Sequence, residues 1–192
     1  GSGDFSGFVE ESPFPSVLVL VGASLGGFKA LQRLLAYLPD SENDSNHAIG
    51  SLVLVLHRGP DQEERLGPLL QSHCAWPVQE PLDKEEIRAG QVYLAAADYH
   101  LLLEARHFAL STEAQVNHAR PSIDVLFESA ARFYGKRCKA LVLTGNSNDG
   151  AQGAACVAEC GGTVWVQDPL ESEAAVMPKA ALAAVPQAQC LS

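Results

Sequence analysis

Three residue types that a nucleophilic hydrolase uses stand just beyond apolar runs of this chain. Ser24 and His57 follow two such runs, and Asp149 follows a third. A serine hydroxyl is a weak nucleophile until a neighbouring base takes its proton, and histidine, whose ordinary pKa is near neutrality, suits that role. An aspartate that accepts a hydrogen bond from the second ring nitrogen holds the base in one tautomer. The three residues therefore indicate acyl transfer through a Ser-His-Asp triad.

The three apolar runs predict strands that would bring these side chains together. The runs are rich in valine and leucine, are bounded by turn residues, and lie at 17–21, 52–56 and 140–143. Such continuous runs are typical of strands buried on both faces, which belong to a mostly parallel sheet covered by helices. Sites in these sheets lie beyond the carboxyl ends of the strands. We therefore expect the three side chains on one edge of one sheet.

The rest of the pattern predicts a single α/β domain, with a mostly parallel sheet flanked by helices and a small antiparallel β-hairpin insertion. Helical periodicity covers 25–38, 123–134 and 150–160, a shorter helix fits 61–72, and a further strand fits 163–167. Short segments around Val78, 92–94, 101–103 and 107–110 are interrupted by proline, glycine and aspartate. These segments indicate antiparallel strands or hairpins added to the parallel core.

Composition excludes several classes of protein. The net charge is −10 and the chain has only 13 lysines and arginines, so a nucleic-acid partner, which is bound mainly through such residues, is not expected. No apolar stretch approaches the roughly 20 residues of a membrane span, so direct membrane insertion is not expected either. The five cysteines lack a C-x-x-C pair and fit buried free thiols in a reducing compartment. A cytoplasmic location is the expectation.

The glycine pattern around Ser24 allows more than one interpretation. Gly22-Ala-Ser24-Leu-Gly26 matches the G-x-S-x-G elbow, which exposes a nucleophile on a tight turn from strand to helix. Ser24 could instead be an ordinary helix N-cap. A glycine-rich turn can also hold a pyrophosphate, but the glycines here do not fit G-x-G-x-x-G, and the second strand ends in His57 rather than in an acidic residue. His57 could likewise be a core histidine, and Asp149 could cap a helix near Gly150.

Five blocks of this sequence together resemble the catalytic domain of the CheB family, the chemotaxis protein-glutamate methylesterases. The resemblance covers roughly residues 16–184. The blocks are Gly22-Ala-Ser-Leu-Gly-Gly27, the strand that ends in His57, residues 116–127 (VNHARPSIDVLF), residues 143–151 (LTGNSNDGA) and Met177-Pro178.

The resemblance implies a doubly wound α/β fold, an activity and a set of roles. It implies hydrolysis of glutamate methyl esters on the cytoplasmic helices of chemoreceptors, with Ser24 as nucleophile, His57 as general base and then acid, and Asp149 orienting His57. Family members also deamidate particular receptor glutamines. No metal or cofactor is required. Family enzymes usually carry an N-terminal receiver domain, and no receiver sequence precedes Ser24 here.

Several positions depart from the family pattern. The family usually has threonine where Leu25 stands, methionine where Asn146 stands, and Gln-His-Met-Pro where residues 56–59 read Leu-His-Arg-Gly. The resemblance implies that the loop with Asn146 lends a backbone amide to a developing oxyanion, and that Leu25 contacts the oxyanion or the substrate. These departures leave open a second hypothesis, a catalytically weakened homologue that acts as a binding or regulatory module; a nucleotide-binding oxidoreductase is a distant third.

Further residues of the matched blocks are candidates for substrate contact. Arg58, beside the base, would contact receptor carboxylates or be a solvated loop charge. Arg120, with Ser122 and Asp124, would be structural first, as part of a capped helix start, and substrate-contacting second. The remaining histidines, His100, His107 and His118, are expected at the surface or in a hairpin.

The expected domain boundaries follow from the same patterns. Residues 1–15 lack periodicity and begin Gly-Ser-Gly, which suggests the remnant of an expression tag and a flexible lead-in. Residues 16–192 are expected to form the one catalytic domain.

Overall fold

The computed structural model describes residues 14–39, 50–58 and 65–192. Within these residues a seven-stranded sheet has only parallel neighbours, and a second sheet of two strands is antiparallel. The predicted fold class is confirmed, because the sheet is mostly parallel, is flanked by helices and is accompanied by one small antiparallel hairpin.

Nine strands and five α-helices make up the described part of the chain. The strands are β1 (Val17–Ala23), β2 (Gly50–Leu56), β3 (Val78–Gln79), β4 (Val92–Leu94), β5 (His100–Glu104), β6 (His107–Ser111), β7 (Cys138–Val142), β8 (Thr163–Gln167) and β9 (Gln189–Leu191). The helices are α1 (Gly27–Ala36), α2 (Leu66–Gln71), α3 (Ile123–Tyr134), α4 (Ala151–Glu159) and α5 (Val176–Ala184). The strand order in the large sheet is β3-β4-β2-β1-β7-β8-β9.

Different helices cover the two faces of the sheet. Leu18 and Leu20 of β1 belong to an apolar cluster that includes side chains of α3, α4 and α5. Val21 and Ala23 of the same strand belong to a second cluster, formed with side chains of α1 and α2. All four residues are fully buried. Burial on both faces explains why the β1 sequence is continuously apolar and not alternating.

The register of the central strands places the candidate catalytic residues on one edge. Ala23 at the end of β1 lies opposite Leu56 at the end of β2, and Gly22 lies opposite Val142 at the end of β7. Because the three strands are parallel and end at the same level, the residues that follow them emerge at the same edge of the sheet.

Gly22 allows the start of α3 to approach this edge closely. A Cβ atom at position 22 would lie 2.6 Å from Cγ2 of Ile123, the first residue of α3. A separation this short is far below van der Waals contact, so only glycine fits while Ile123 keeps its place. The close approach brings the amides of the first turn of α3 next to the carboxyl end of β1.

One part of the sequence-based prediction was wrong. Residues around Val78 and residues 92–94 were expected to form antiparallel strands or hairpins, but they are the parallel strands β3 and β4 of the large sheet. All three residues of β4 are buried, yet the strand is too short to reveal a period. Parallel strands are usually joined through a helix, and the connection at 80–91 contains none. The antiparallel prediction was right only for β5 and β6.

Two elements were not predicted, and two predicted segments lie partly outside the described residues. The helix α5 and the strand β9 were not predicted; β9 is wholly exposed, so it has no apolar pattern. The predicted helix at 61–72 corresponds to α2 in its second half, and residues 61–64 lie outside the described residues. Residues 1–13 of the expected lead-in also lie outside them, whereas Phe14 stacks on Tyr134 with ring centroids 5.6 Å apart.

The cysteines and the hydropathy of the helices bear on the expected surroundings of the chain. All five cysteines are free, as expected, but Cys160 and Cys190 are exposed, so the expectation that all were buried was wrong. Among the described residues, every helix is too short or too polar to cross a membrane.

Replacing Gly22 with alanine is expected to destabilise the domain. The new methyl group must displace Ile123, and overpacking of this kind typically costs about 1–3 kcal/mol. Gly67→Ala in α2 is the matched control, because a Cβ at position 67 meets no described atom within 4 Å. The midpoint of urea unfolding should be lower for Gly22→Ala than for the unchanged chain, and equal or higher for Gly67→Ala. Equal midpoints for Gly22→Ala and the unchanged chain would contradict this packing.

Candidate active site

Ser24 lies on the tight turn between β1 and α1. The Ser24 amide donates to the Thr144 carbonyl (2.9 Å), and the Ser24 carbonyl accepts from the Gly27 amide (2.7 Å). Gly26 is the N-cap of α1, with the left-handed φ of 79°, and no side chain caps this helix. The N-cap interpretation of Ser24 is therefore wrong, and the side chain of Ser24 is free of a capping role.

The loop after β7 packs against this turn. The Thr144 hydroxyl donates to the Leu25 carbonyl (2.9 Å) and accepts from the Ala174 amide (2.8 Å). A Cβ at Gly145 would lie 2.8 Å from Cβ of Ser24 and would also meet the side chain of Met177. Glycine at position 145 thus allows the loop that carries Asn146 to lie directly beside Ser24.

His57 follows β2 and faces the same cleft as Ser24. Its amide continues the strand pairing by donating to the Ala23 carbonyl (2.9 Å). Its Nε2 lies 2.8 Å from Oδ2 of Asp149, which leaves Nδ1 as the nitrogen available to a nucleophile. Ser24 and His57 both line a cleft of about 580 Å³, although no hydrogen bond joins their side chains in the described structure. Such bonds are often loose in enzymes without substrate.

The Asp149 carboxylate is fully buried and accepts five hydrogen bonds. Oδ2 accepts from His57 and from one amide, and Oδ1 accepts from an amide, a hydroxyl and a side-chain amide. The donors are His57 Nε2 (2.8 Å), Ile123 N (2.6 Å), Asp124 N (3.0 Å), Ser122 Oγ (2.9 Å) and Asn117 Nδ2 (3.0 Å).

These hydrogen bonds decide the charge state of Asp149. Burial opposes ionisation, but the hydrogen bonds from His57, from the amides of Asp124 and Ile123, and from Asn117 outweigh burial and hold the pKa of Asp149 below its ordinary value. The two amides belong to the first turn of α3, whose N-terminal end also favours negative charge. Asp149 is therefore an ionised acceptor for His57.

Asp124 occupies the corresponding place at the start of α4. Its buried carboxylate accepts from the amides of Gly150 (3.0 Å) and Gly153 (2.7 Å) through Oδ1. Asp149 thus binds the N-terminus of α3, and Asp124, from the first turn of α3, binds the N-terminus of α4. Burial, followed by the nearby charge of Asp149, raises the pKa of Asp124 despite these hydrogen bonds.

Ser122 and His100 complete the start of α3. Ser122 is the N-cap, and its hydroxyl accepts from the Val125 amide (3.4 Å) while donating to Asp149. His100 was expected at the surface or in a hairpin, and it lies in the hairpin as the first residue of β5, where it is 2% exposed. Its Nδ1 accepts from the Ser122 amide (3.2 Å) and its Nε2 donates to the Ala114 carbonyl (2.9 Å). Both partners of this ring come from segments distant in sequence, so its burial could not be read from the local pattern. His107 and His118 are exposed, as expected.

The two arginine candidates are held by the protein. Arg120 donates to Asp98 Oδ1 through Nη2 (2.7 Å) and to two carbonyls through Nη1, so it ties together the segments around α3 and the hairpin. The Arg58 side chain is only 4% exposed and donates to the Ala95 carbonyl (3.0 Å), with Glu80 3.6 Å away. The solvated-loop interpretation of Arg58 is therefore wrong. Both arginines also line a smaller cleft of about 190 Å³ that includes His57.

Leu25 and Asn146 are the candidates beside a developing oxyanion; Leu25 follows Ser24 directly, and Asn146 follows Gly145, which lies against Ser24. Leu25 is 56% exposed and Asn146 is exposed, so both side chains point away from the core. Their backbone amides donate to no acceptor among residues 14–39, 50–58 and 65–192. The residues that sequence reasoning missed are Asn117, Thr144 and Gly145. Only Asn117 has a local signal, since asparagine favours the left-handed backbone of tight turns.

The geometry defines a class of protein. A parallel α/β sheet that presents a serine on an elbow, and beside it a histidine paired with a buried aspartate, is the arrangement of a serine-type hydrolase.

Comparisons with known proteins agree with this class. The family model of the CheB methylesterase matches residues 19–192. A putative protein-glutamate methylesterase/protein-glutamine glutaminase of Leptospira interrogans is 39% identical over 167 residues, which cover 86% of this chain and 83% of that protein. Protein-glutamate methylesterase/protein-glutamine glutaminase 5 of Myxococcus xanthus is 41% identical over 169 residues, which cover 85% of this chain but only 46% of that protein.

A solved structure extends the similarity to three dimensions. The crystal structure of the Thermotoga maritima CheB methylesterase catalytic domain superposes with a TM-score of 0.82 at 32% identity, and the match covers 91% of this chain and 90% of that one. This chain belongs to the CheB methylesterase family.

The lowered pKa of Asp149 predicts a pH-dependent contribution to stability. Hydrogen bonds to the ionised form stabilise the fold above the pKa of an unfolded aspartate, about 3.9, and this contribution is lost as the pH falls through the lower folded value. We expect Asp149→Asn to be less stable than the unchanged chain at about pH 7, with the difference shrinking below about pH 4. Urea unfolding across this range measures the difference.

Asp83→Asn provides a control at an exposed carboxylate that accepts one backbone hydrogen bond, from Leu110. If the stability difference for Asp149→Asn stays constant from about pH 7 to about pH 3, the carboxylate is not held in its ionised form.

Proposed function

We propose that this chain is the catalytic domain of a protein-glutamate methylesterase, which hydrolyses methyl esters of glutamate side chains on chemoreceptors to glutamate and methanol. The observation that carries the proposal is the hydrogen bond of His57 to the buried, ionised Asp149, in the cleft that Ser24 lines. Membership in the CheB methylesterase family and the names of the relatives supply the substrate.

The first half of the reaction forms an acyl-enzyme. His57 takes the proton of the Ser24 hydroxyl through Nδ1 as the oxygen attacks the ester carbonyl. The tetrahedral intermediate then collapses, its bond to the methoxy oxygen breaks, and His57 gives its proton to that oxygen, so that methanol leaves. Asp149 stabilises the positively charged ring between these two transfers.

The second half of the reaction frees the enzyme. Water replaces methanol, His57 takes a proton from it, and the hydroxide attacks the acyl carbon. The bond to Ser24 Oγ breaks, and His57 returns the proton to that oxygen. The products are a glutamate side chain and the original enzyme. A glutamine side chain reacts in the same way with ammonia as the leaving group, which fits the glutaminase in the names of the relatives.

The backbone amides of Leu25 and Asn146 are the proposed oxyanion donors. In serine hydrolases with an elbow, the residue after the nucleophile supplies one such amide. The hydrogen bond of Thr144 to Leu25 and the close contact of Gly145 with Ser24 hold the two loops side by side. Because only backbone donors are used and both side chains point outward, the departures from the family at these positions are compatible with activity. This argues for the enzyme over a weakened regulatory homologue.

The proposed partners follow from the substrate. They are the methylated cytoplasmic helices of chemoreceptors, so the proposed location is the cytoplasm. The chain spans less than half the length of the Myxococcus xanthus relative. A receiver domain elsewhere in the full-length protein is therefore part of the proposal. Family membership leaves the nucleotide-binding interpretation of the glycine turn without support.

Ser24→Ala is expected to abolish ester hydrolysis. Removing the nucleophile of a triad typically lowers kcat by about 10⁶-fold. The measurement is the release of labelled methanol from receptor fragments with radiolabelled methyl esters, with Ser72→Ala, at the end of α2, as a matched control. Release that persists in Ser24→Ala would point to another nucleophile. Silence of the unchanged, folded chain on several methylated receptors would favour the regulatory homologue.

Arg58→Met is expected to weaken substrate binding more than it slows the reaction. We propose that Arg58, a residue of both clefts that contain His57 although its side chain is only 4% exposed, turns its guanidinium towards a receptor carboxylate beside the methylated glutamate when the substrate binds. Loss of a hydrogen bond to a charged group costs about 1.5–3 kcal/mol, or roughly a 10- to 150-fold rise in KM. The measurement compares KM for receptor peptides that carry glutamate beside the methylated residue with KM for peptides that carry glutamine there. An unchanged KM for the glutamate peptide would exclude the contact.

A further inference from the structure

Asn117 lies in a tight turn that precedes α3. Val116 and Ala119 exchange backbone hydrogen bonds of 3.0 Å in both directions, and the two residues between them have left-handed φ values of 53° for Asn117 and 60° for His118. Left-handed conformations at both central positions define the type I′ turn, in which asparagine is favoured. The turn is exposed, but the side chain of Asn117 reaches the two buried carboxylates behind it.

The Asn117 side-chain amide joins these two carboxylates. Nδ2 donates to Oδ2 of Asp124 (2.7 Å) and to Oδ1 of Asp149 (3.0 Å). Asp124 and Asp149 repel one another. Glu128, one turn further along α3, is a third carboxyl group nearby, and burial followed by the charge of Asp124 raises its pKa. Arg132 is a positive charge that faces Glu128, and His57 bears a positive charge beside Asp149 between the two proton transfers of the proposed reaction. A neutral double donor between two carboxylates offsets their repulsion without adding charge.

The hydrogen bonds of the two carboxylates show what depends on Asn117. Asp149 has four other donors, but the Oδ2 of Asp124 has Asn117 as its one donor among residues 14–39, 50–58 and 65–192. Without the amide, this buried oxygen is unsatisfied and Asp124 is pushed towards the protonated form. Asp149 Oδ1 loses one of its three donors at the same time, so the orientation in which Oδ2 faces His57 is held less firmly.

We infer that Asn117 is a positioning residue of the catalytic site: by donating to both Asp124 and Asp149 it fixes the Asp149 carboxylate so that Oδ2 receives the His57 Nε2 hydrogen. Asn117 acts through Asp149 and does not touch the substrate. The role in catalysis rests on the proposed esterase function, whereas the effect on the His57–Asp149 pair does not.

Two variants distinguish the effect of the Asn117 side-chain amide from the effect of the turn in which it lies. Asn117→Gly removes the donor but keeps the left-handed backbone, which glycine adopts without strain. Asn117→Asp keeps the shape but replaces the donor with a third carboxylate. Gln187→Ala is the control, because it removes an exposed side-chain amide from the segment between α5 and β9.

Kinetics on methylated receptor fragments give the first measurement. We expect kcat for Asn117→Gly to fall by up to about 100-fold, the scale typical of small misplacements of catalytic groups, with KM little changed. For Asn117→Asp we expect a larger fall at neutral pH and a smaller fall, relative to the unchanged chain, as the pH decreases, because a carboxyl that binds a proton can donate one hydrogen bond. A purely structural role predicts lower stability with unchanged kcat in the folded protein.

Proton NMR of the His57 ring gives a measurement that needs no substrate. In the unchanged chain and in Gln187→Ala the Nε2 proton bonded to Asp149 should give a resolved low-field resonance. In Asn117→Gly it should shift or broaden through exchange with water. If this resonance and kcat are both unchanged in folded Asn117→Gly, the inference is wrong. If the resonance changes while no variant hydrolyses any receptor ester, the positioning role holds and the proposed esterase function fails.

Discussion

The burial of the Asp149 carboxylate at the N-terminus of α3 is the interaction on which the rest of the site depends. An isolated buried carboxylate would be costly and would take up a proton. Here two amides of the first helical turn, a hydroxyl, an asparagine amide and the His57 ring all donate to it. The same contacts that keep it ionised also fix its direction. His57 therefore has a partner that is both charged and immobile.

This constraint links the fold to the site through close packing. The start of α3 must reach the carboxyl end of β1, and Gly22 leaves the space for Ile123 that this requires. The loop after β7 must lie against Ser24, and Gly145 leaves the space for that contact. Asp149 binds the N-terminus of α3 and Asp124 binds the N-terminus of α4, so the candidate catalytic aspartate also helps to hold these two helices together. The packing of α3 against α4 thus also fixes the position of Asp149 in the site.

The strands and helices with strong patterns could be predicted from the sequence. The runs 17–21, 52–56 and 140–143 of β1, β2 and β7 are continuously apolar because both faces of these strands are covered, and this pattern predicted that Ser24, His57 and Asp149 lie at one edge. The family was recognised from its sequence blocks, and the comparisons confirmed it. β3, β4 and β9 were missed or misassigned because strands of two or three residues carry no period, and β9 has no buried face.

The partners of the catalytic residues could not be predicted in the same way. The roles of Asn117 and His100 depend on how separate segments pack in three dimensions, and neither side chain differs locally from one at an ordinary surface turn or strand. A solvated loop charge was one of the two interpretations that the sequence allowed for Arg58, but its side chain is only 4% exposed and donates to the Ala95 carbonyl. Local patterns report backbone preference and burial; they do not report which distant groups satisfy a polar side chain.

The rate at which a fluorophosphonate reacts with the chain, followed by intact mass and peptide mapping, tests most directly whether Asp149 and His57 activate Ser24. Such a reagent reacts with an activated serine and does not depend on the identity of the receptor. The account predicts a single adduct on Ser24 in the unchanged chain, and a fall in rate of about 10⁴-fold in Asp149→Asn, since loss of the orienting carboxylate costs a triad about that much. An unchanged chain that is not labelled, or an Asp149→Asn variant that is labelled equally fast, would contradict it.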